Sequence, residues 1–106
     1  MTTETDRELL KWAAKAAGME HPTYMERVTG VVGINRGPMA ALWNPLTDDG
    51  DALRLAVKRN VFFNPLFAHY LALERFAQQD ADDTKAYRRA IVRTVADEGK
   101  DMTCHT

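Results

Sequence analysis

The sequence has little of what a secreted or membrane-bound protein needs. Its one cysteine, Cys104, cannot form an internal disulfide, which is typical of a reducing compartment. No apolar run approaches the roughly 18 to 20 residues that cross a bilayer. The first ten residues, MTTETDRELL, are polar and acidic, whereas a signal peptide begins basic and continues apolar. These absences predict a cytoplasmic protein without a membrane partner.

The chain also lacks an excess of one charge. Its 14 Lys and Arg residues balance 15 Asp and Glu residues, for a net charge of −1 at pH 7. No overall field therefore attracts nucleic acid or anionic lipid, although a local basic stripe can still do so. The 106 residues are 45% hydrophobic and 27% charged, which is typical of one globular domain. We expect a single domain over residues 1–106.

Sequence patterns of catalysis and metal binding are missing as well. Three histidines, His21, His69 and His105, have no metal-ligand spacing among themselves or with Cys104. The chain has no glycine-rich phosphate loop, nucleophile elbow or HExxH pattern. We therefore expect neither an enzyme nor a bound cofactor or metal.

Two of the predicted helices have clear ends. Thr5 and Glu8 have the spacing of a capping box and Gly18 suits a helix C-terminus, which together predict a helix over 6–17. The last helix is predicted over 83–98, ending at Gly99, with residues 100–106 as a frayed tail. Its predicted core arc consists of Tyr87, Ile91, Val92 and Val95.

The middle of the chain is less clear. Glycines and prolines punctuate residues 19–47, and two short β-rich runs on either side of residues 35–38 predict a hairpin or a bulged strand pair. Residues 61–63, Val-Phe-Phe, resemble a buried strand. Beyond them, Asn64-Pro65 could open a helix, but the alternation over 69–76 fits a strand almost as well. Local pattern leaves both alternatives open.

Three carboxylates, Asp48, Asp49 and Asp51, lie at the start of a helix predicted over 49–59. They favour a helix start, with Asp48 and Asp51 as a reciprocal cap and all three at the positive end of the helix dipole. A calcium loop would need oxygen ligands at alternating positions and a closing glutamate, and the sequence has neither. A catalytic carboxylate pair would need a partner residue that the sequence does not identify. The predicted core face of this helix consists of Leu53, Ala56 and Val57.

The last helix carries a basic stripe and one misplaced arginine. Lys85, Arg89 and Arg93 repeat every four residues and could contact phosphates, although such a stripe is more often a solvated face. Arg88 falls between Val92 and Val95 on the helical wheel, inside the apolar arc. It must extend to solvent or pair with a carboxylate. We expect an aspartate among residues 48–51 to be that partner, with residues 80–83 as the alternative.

Three blocks of the sequence resemble one protein family. WNPLTDDGDALRLAVK at 43–58, YRRAIVRTVADEGKDM at 87–102 and ELLKWAAKAAGME at 8–20 are similar to the phage α-β-α sandwich domain family of small proteins from tailed bacteriophages and prophages. The resemblance implies a sandwich fold, a phage or prophage origin, and strands at 60–63 and 69–76. It brings no catalytic residues. The chain is richer than the family in phenylalanine and helix formers there, so a helix over 65–78 remains an alternative.

Together these features predict one α+β domain, in which a small, mostly antiparallel sheet packs with three helices. The expected function is that of a non-enzymatic phage accessory protein in the bacterial host cytoplasm, which binds a host or phage macromolecule. Counter-defence, as in an anti-CRISPR-like inhibitor, is the leading form of this hypothesis. The alternative is a nucleic-acid-binding regulator that uses the basic stripe; an enzyme or metal protein that uses the acidic residues is a third, weaker one. The candidate structural residues are Trp43, Asp48, Asp51 and Arg88.

Overall fold

The computed structural model describes residues 5–37, 40–77 and 83–104, with side chains up to residue 102. Within these ranges the chain is an α+β domain of four helices and a two-stranded antiparallel sheet, one helix more than predicted. The elements in chain order are α1 (Asp6–Ala16), β1 (Tyr24–Glu26), β2 (Val32–Ile34), α2 (Asp49–Lys58), a 3₁₀ turn (Val61–Phe63), α3 (Pro65–Ala77) and α4 (Asp83–Cys104). None of the described helices has the length and apolar composition needed to cross a bilayer.

Helix α4 is the centre of the fold, because α1, α2 and α3 all pack against it. The prediction that it ends at Gly99 is wrong, and residues 100–104 continue the helix instead of fraying. Gly99 is buried, and a Cβ atom there would lie 2.1 Å from the main-chain oxygen of Trp12 in α1. The glycine therefore serves a close approach of two helices, not a helix end.

A hairpin forms, but it joins residues 24–26 to residues 32–34, not the two predicted runs on either side of residues 35–38. Strand β1 pairs with β2 in the register Tyr24 to Ile34, so the connection is residues 27–31 instead of 35–38. Gly30 permits this turn with a φ of 91°. The second predicted run joins through one isolated bridge, in which the amides and carbonyls of Ile34 and Trp43 exchange hydrogen bonds of 2.8 and 2.9 Å. Pro38 lies outside the described residues.

Residues 60–77 contain no strand, so the strands implied by the family resemblance at 60–63 and 69–76 are wrong. The helical alternative is confirmed as α3. The Asn64 side chain accepts a hydrogen bond of 2.9 Å from the amide of Leu66, and Pro65 occupies the first helical position. Proline suits that position because its missing amide would have no helical partner.

Helix α2 begins as predicted but is rotated relative to the predicted core face. Leu53 and Val57 are exposed, whereas Ala52, Leu55 and Ala56 are buried. Tyr87 of α4 is likewise exposed instead of belonging to the core. The sequence contains more apolar residues than the two helices can bury, so periodicity alone selected the wrong subset.

Candidate protein-binding surface

The acidic residues at the start of α2 connect that helix to the preceding segment. Asp48 is the N-cap, and its carboxylate accepts a hydrogen bond of 2.7 Å from the amide of Asp51. The cap is not reciprocal, because the buried Asp51 carboxylate accepts from the amide of Asn44 at 3.0 Å. It also lies 2.8 Å from Arg54 and 3.5 Å from Arg36. Asp51 therefore has a structural role.

The segment before the cap is equally structural. Trp43 is buried in the core beside β2, and the Asn44 amide group donates to the main-chain oxygen of Val32 at 2.9 Å. These contacts join residues 43–51 to both the hairpin and α2. Residues 43–58, which carry the most specific family resemblance, therefore connect the hairpin to α2.

Arg88 forms the predicted clip between α4 and the start of α2. Its Nη1 lies 2.7 Å from Oδ1 of Asp49, and its Nε donates to the main-chain oxygen of Leu46 at 2.9 Å. The Arg88 side chain is only 16% exposed, but that of Asp49 is 73% exposed. The Arg88 side chain therefore passes through the apolar interface between α4 and α2, and its guanidinium lies at the edge of that interface.

The basic stripe is largely engaged within the protein. Arg89 and Arg93 contact the two carboxylate oxygens of the buried Glu74 in α3, at 3.1 and 2.9 Å. Arg89 also reaches Asp6 in α1 at 3.0 Å. Burial lowers the pKa of Arg89, but hydrogen bonding to Asp6 and the charges of Asp6 and Glu74 outweigh it and raise the pKa above its ordinary value. These ion pairs compete with phosphate contacts, and Lys85 is the exposed member of the stripe.

Sequence reasoning missed Glu74. A glutamate in a run of helix formers such as ALERFA is ordinarily placed in solvent, and no local pattern announces its arginine partners 15 and 19 residues later. The described residues contain no group of three or more His, Cys, Asp or Glu that could hold a metal ion. The Cys104 side chain and His105 lie outside the described residues.

The feature that no structural role explains is an apolar groove of about 280 Å³ between α2, the 3₁₀ turn and α4. Leu53, Phe62 and Tyr87 line it and remain 57%, 51% and 41% exposed. Ala52 and Ile91 also line it. The aromatic rings continue inward, because Phe67 lies edge-on to Phe62 at 5.2 Å and 6.1 Å from Tyr87. Four polar residues complete its lining: Asp49, Asp83, Thr84 and Arg88.

A wider groove of about 950 Å³ lies along α1. Trp12, Met19 and Pro22 provide its apolar part, and its charged residues are Glu8, Glu20, Lys11 and Lys15, with His21 beside them. Two acids face two bases, so the groove favours no ligand of either charge.

No family model, curated protein or solved structure matches the chain. The resemblance to the phage sandwich family therefore stays a prediction.

Proposed function

We propose that this protein is a non-enzymatic accessory protein of a phage or prophage, and that it binds a host or phage protein through the groove lined by Leu53, Phe62 and Tyr87. One observation carries the proposal: three large apolar side chains from three separate elements converge on one exposed groove. Scattered exposed apolar residues are ordinary on protein surfaces, but a converging set marks an interaction site.

The size of the groove favours a protein partner over a metabolite. Small-molecule sites usually enclose their ligand in about 300–1,000 Å³, whereas this groove of about 280 Å³ is at the low end of that size and is open to solvent. It suits a single apolar side chain from a partner surface. Aromatic residues that receive such an anchor commonly dominate the energy of protein interfaces.

The polar residues around the groove fit the same role. Asp49 is held by Arg88, and Asp83 lies 3.7 Å from Arg75. Protein interfaces typically combine an apolar centre with a polar, hydrated rim. The two charges of each pair largely cancel, so the rim does not select a strongly charged partner.

We further propose counter-defence as the biological form of this binding, in which the protein covers a functional surface of a host defence complex. The resemblance of residues 43–58 to phage proteins supports the setting. The ion pairs of Arg89 and Arg93 with the buried Glu74 support a protein partner over nucleic acid.

The binding is tested by capture from lysates of phage-infected bacteria, with and without nuclease. Leu53→Lys introduces a charge into the groove, whereas Val57→Lys introduces it elsewhere on α2, at a similarly exposed position. We expect Leu53→Lys to lose a protein that the wild type and Val57→Lys both retain. Equal capture by all three proteins contradicts the groove, and material that nuclease removes supports the nucleic-acid-binding regulator instead.

Counter-defence is tested by expressing the protein in bacteria whose CRISPR interference targets an infecting phage. We expect the wild type and Val57→Lys to restore plaque formation and Leu53→Lys to fail. Unchanged interference across a panel of defence systems contradicts counter-defence, and the capture experiment then still decides whether the groove binds a protein.

A further inference from the structure

The wider groove along α1, the α1 groove, has two walls. Glu8, Lys11, Trp12 and Lys15 form one wall, because residues three and four positions apart share one face of a helix. Residues 18–22, which follow α1 in the chain, form the other. The volume of about 950 Å³ is at the upper end of the range of small-molecule sites, about 300–1,000 Å³. The groove is open along one side, so it suits an extended ligand that remains partly exposed.

The second wall has an unusual backbone conformation at His21. Its φ is 50°, a left-handed conformation that is uncommon for a residue with a side chain. His21 also precedes Pro22, and a residue before proline normally has an extended backbone with φ of about −120°. The hydroxyl of Thr23 donates to the main-chain oxygen of His21 at 3.3 Å and helps to hold this turn. Strained backbone conformations are concentrated at binding sites, so this wall is a candidate for one.

Two of the charged side chains in the groove already have partners. The carboxylate of Glu8 accepts hydrogen bonds from the amide and hydroxyl of Thr5 at 3.2 and 3.1 Å. The amine of Lys15 lies over the Trp12 ring, 5.5 Å from its centre. These contacts hold the helical wall in place and leave its other charged residue, Lys11, to a ligand.

The side chains of Lys11, Glu20 and His21 are exposed, and none forms a hydrogen bond or ion pair with any residue that the structure describes. Apolar surface lies beside the two charged ones, since Trp12 follows Lys11 in the chain and Met19 precedes Glu20. Both apolar side chains pack against the core, which fixes their positions. Each wall therefore combines one available charge with one anchored apolar side chain, and the two charges are opposite.

We propose that the α1 groove binds a short apolar peptide with free ends, whose terminal carboxylate pairs with Lys11 and whose terminal ammonium pairs with Glu20. A ligand with one charge would satisfy only one wall, whereas a zwitterion satisfies both. Because the two charges belong to separate walls, the ligand's charges must lie at separate ends. The apolar side chains between them then contact Trp12 and Met19. The site is distinct from the groove of the proposed function and does not depend on it.

The exposure of the groove sets the strength of binding. Ion pairs at exposed positions contribute little because water and salt screen them. Contact with the large Trp12 ring therefore provides most of the affinity, and the two charges provide selectivity for free peptide ends. We expect a dissociation constant on the order of 100 µM to 1 mM.

Binding is tested by NMR titration of the isotope-labelled protein with the tripeptide Leu-Phe-Leu, up to about 10 mM so that the range spans the expected constant. We expect saturable shifts of amide signals in α1 and residues 18–22. Trp12→Leu should weaken binding at least about tenfold, and circular dichroism confirms that this variant is folded. Leu53→Lys, in the other groove, should bind as the wild type does, so this proposal and the proposed function can fail separately. Shifts that do not saturate, or that lie outside the α1 groove, overturn the proposal.

The roles of the two charges are tested with the same peptide blocked at one end. We expect N-acetylation and C-amidation each to weaken binding about three- to fivefold. Glu20→Gln should weaken binding of the free peptide but not of the acetylated one, and Lys11→Gln should weaken binding of the free peptide but not of the amidated one. Glu26→Gln and Lys85→Gln, at exposed positions outside the groove, should change neither. Blocked peptides that bind as tightly as the free peptide contradict recognition of the peptide ends.

Discussion

Helix α4 has two different neighbours, and the contrast between them explains most of the molecule's surface. Toward α1 the contact uses small apolar residues: Ala13 and Ala14 in α1, Ala96 in α4, and Gly99 against the backbone of Trp12. Toward α3 the contact combines the Phe67–Tyr87 ring pair with the buried Glu74, its two arginines and the Tyr70–Asp97 hydrogen bond. The contact with α1 depends on close packing, whereas a buried charge distinguishes the contact with α3.

The difference has a consequence for function. Close packing with α1 leaves few of that helix's apolar side chains exposed, whereas Leu66, Leu73 and Phe76 of α3 remain exposed. The ionic contact with α3 also occupies the arginines that could have bound phosphate.

The largest expected effect is at the shape-determined contact. Alanine exceeds glycine in helix propensity by about 1 kcal/mol, so propensity alone predicts that Gly99→Ala stabilises α4. The clash with the main-chain oxygen of Trp12 outweighs this, because neither backbone can move without unpacking the core. We expect a loss of about 3 kcal/mol in the free energy of unfolding, measured by urea denaturation.

Gly50 in α2 is the matched control for that substitution. A Cβ atom there would meet the flexible ends of Arg54 and Asp48 at 3.2 Å, and these can move. We expect Gly50→Ala to be neutral or slightly stabilising. Similar losses at both glycines would show that the Trp12 contact is not decisive.

The next effect is at the charge-determined contact. Glu74→Gln keeps the shape but leaves Arg89 and Arg93 without their buried counter-charge. We expect a loss of about 2 kcal/mol by the same measurement. The exposed Glu26 in β1 provides a control, since Glu26→Gln should change stability by less than about 0.5 kcal/mol. An unchanged Glu74→Gln variant would mean that charge does not fix the orientation of α3.

The clip from α4 to α2 should contribute less. Arg88→Met leaves the main-chain oxygen of Leu46 without its donor, but Asp49 is exposed and regains water. We expect a loss of about 1 kcal/mol. Arg54→Met, at an exposed position, should cost clearly less in the same assay. If Arg88→Met lowered the free energy of unfolding as much as Glu74→Gln does, the ion pair at the edge would be as important for stability as the buried one.

The smallest effect is the pH dependence of the α1 cap. Hydrogen bonds from the amide and hydroxyl of Thr5 lower the pKa of Glu8 below its ordinary value of 4.5. A lowered pKa in the folded state means that Glu8 stabilises the fold above its unfolded pKa and loses this contribution as pH falls through the folded pKa. The difference in melting temperature between wild type and Glu8→Gln should therefore be present at pH 7 and shrink by about pH 3. If the difference in melting temperature did not change with pH, the effect of Glu8→Gln would come from packing and not from the charge of Glu8.

Local sequence signals predicted the features that depend on neighbouring residues. The capping box of Thr5 and Glu8, the cap at Asp48 and the Asn64-Pro65 helix start are all present. An Arg88 pair with residues 48–51 was also predicted, because an arginine inside an apolar arc needs a partner, although the sequence left residues 80–83 and solvent as alternatives. Each of these depends on spacing within one helix or on a single charge that must be neutralised.

Tertiary structure alone decided which apolar residues are buried and what Gly99 and Glu74 do. A glycine near the end of a helical pattern is equally consistent with a terminus and with a close helix contact, and only the approach of Trp12 distinguishes them. Similarly, the periodicity of α2 and α3 gives their apolar faces but not the direction of the core. In α3 that direction depends on contacts with the core and with α4, among them the packing of Phe67 and the two arginines that pair with Glu74. The sequence by itself determined where helices begin and how they are capped, because those signals are local, whereas the extent of α3 and α4, burial and the exposed surfaces required the assembled fold.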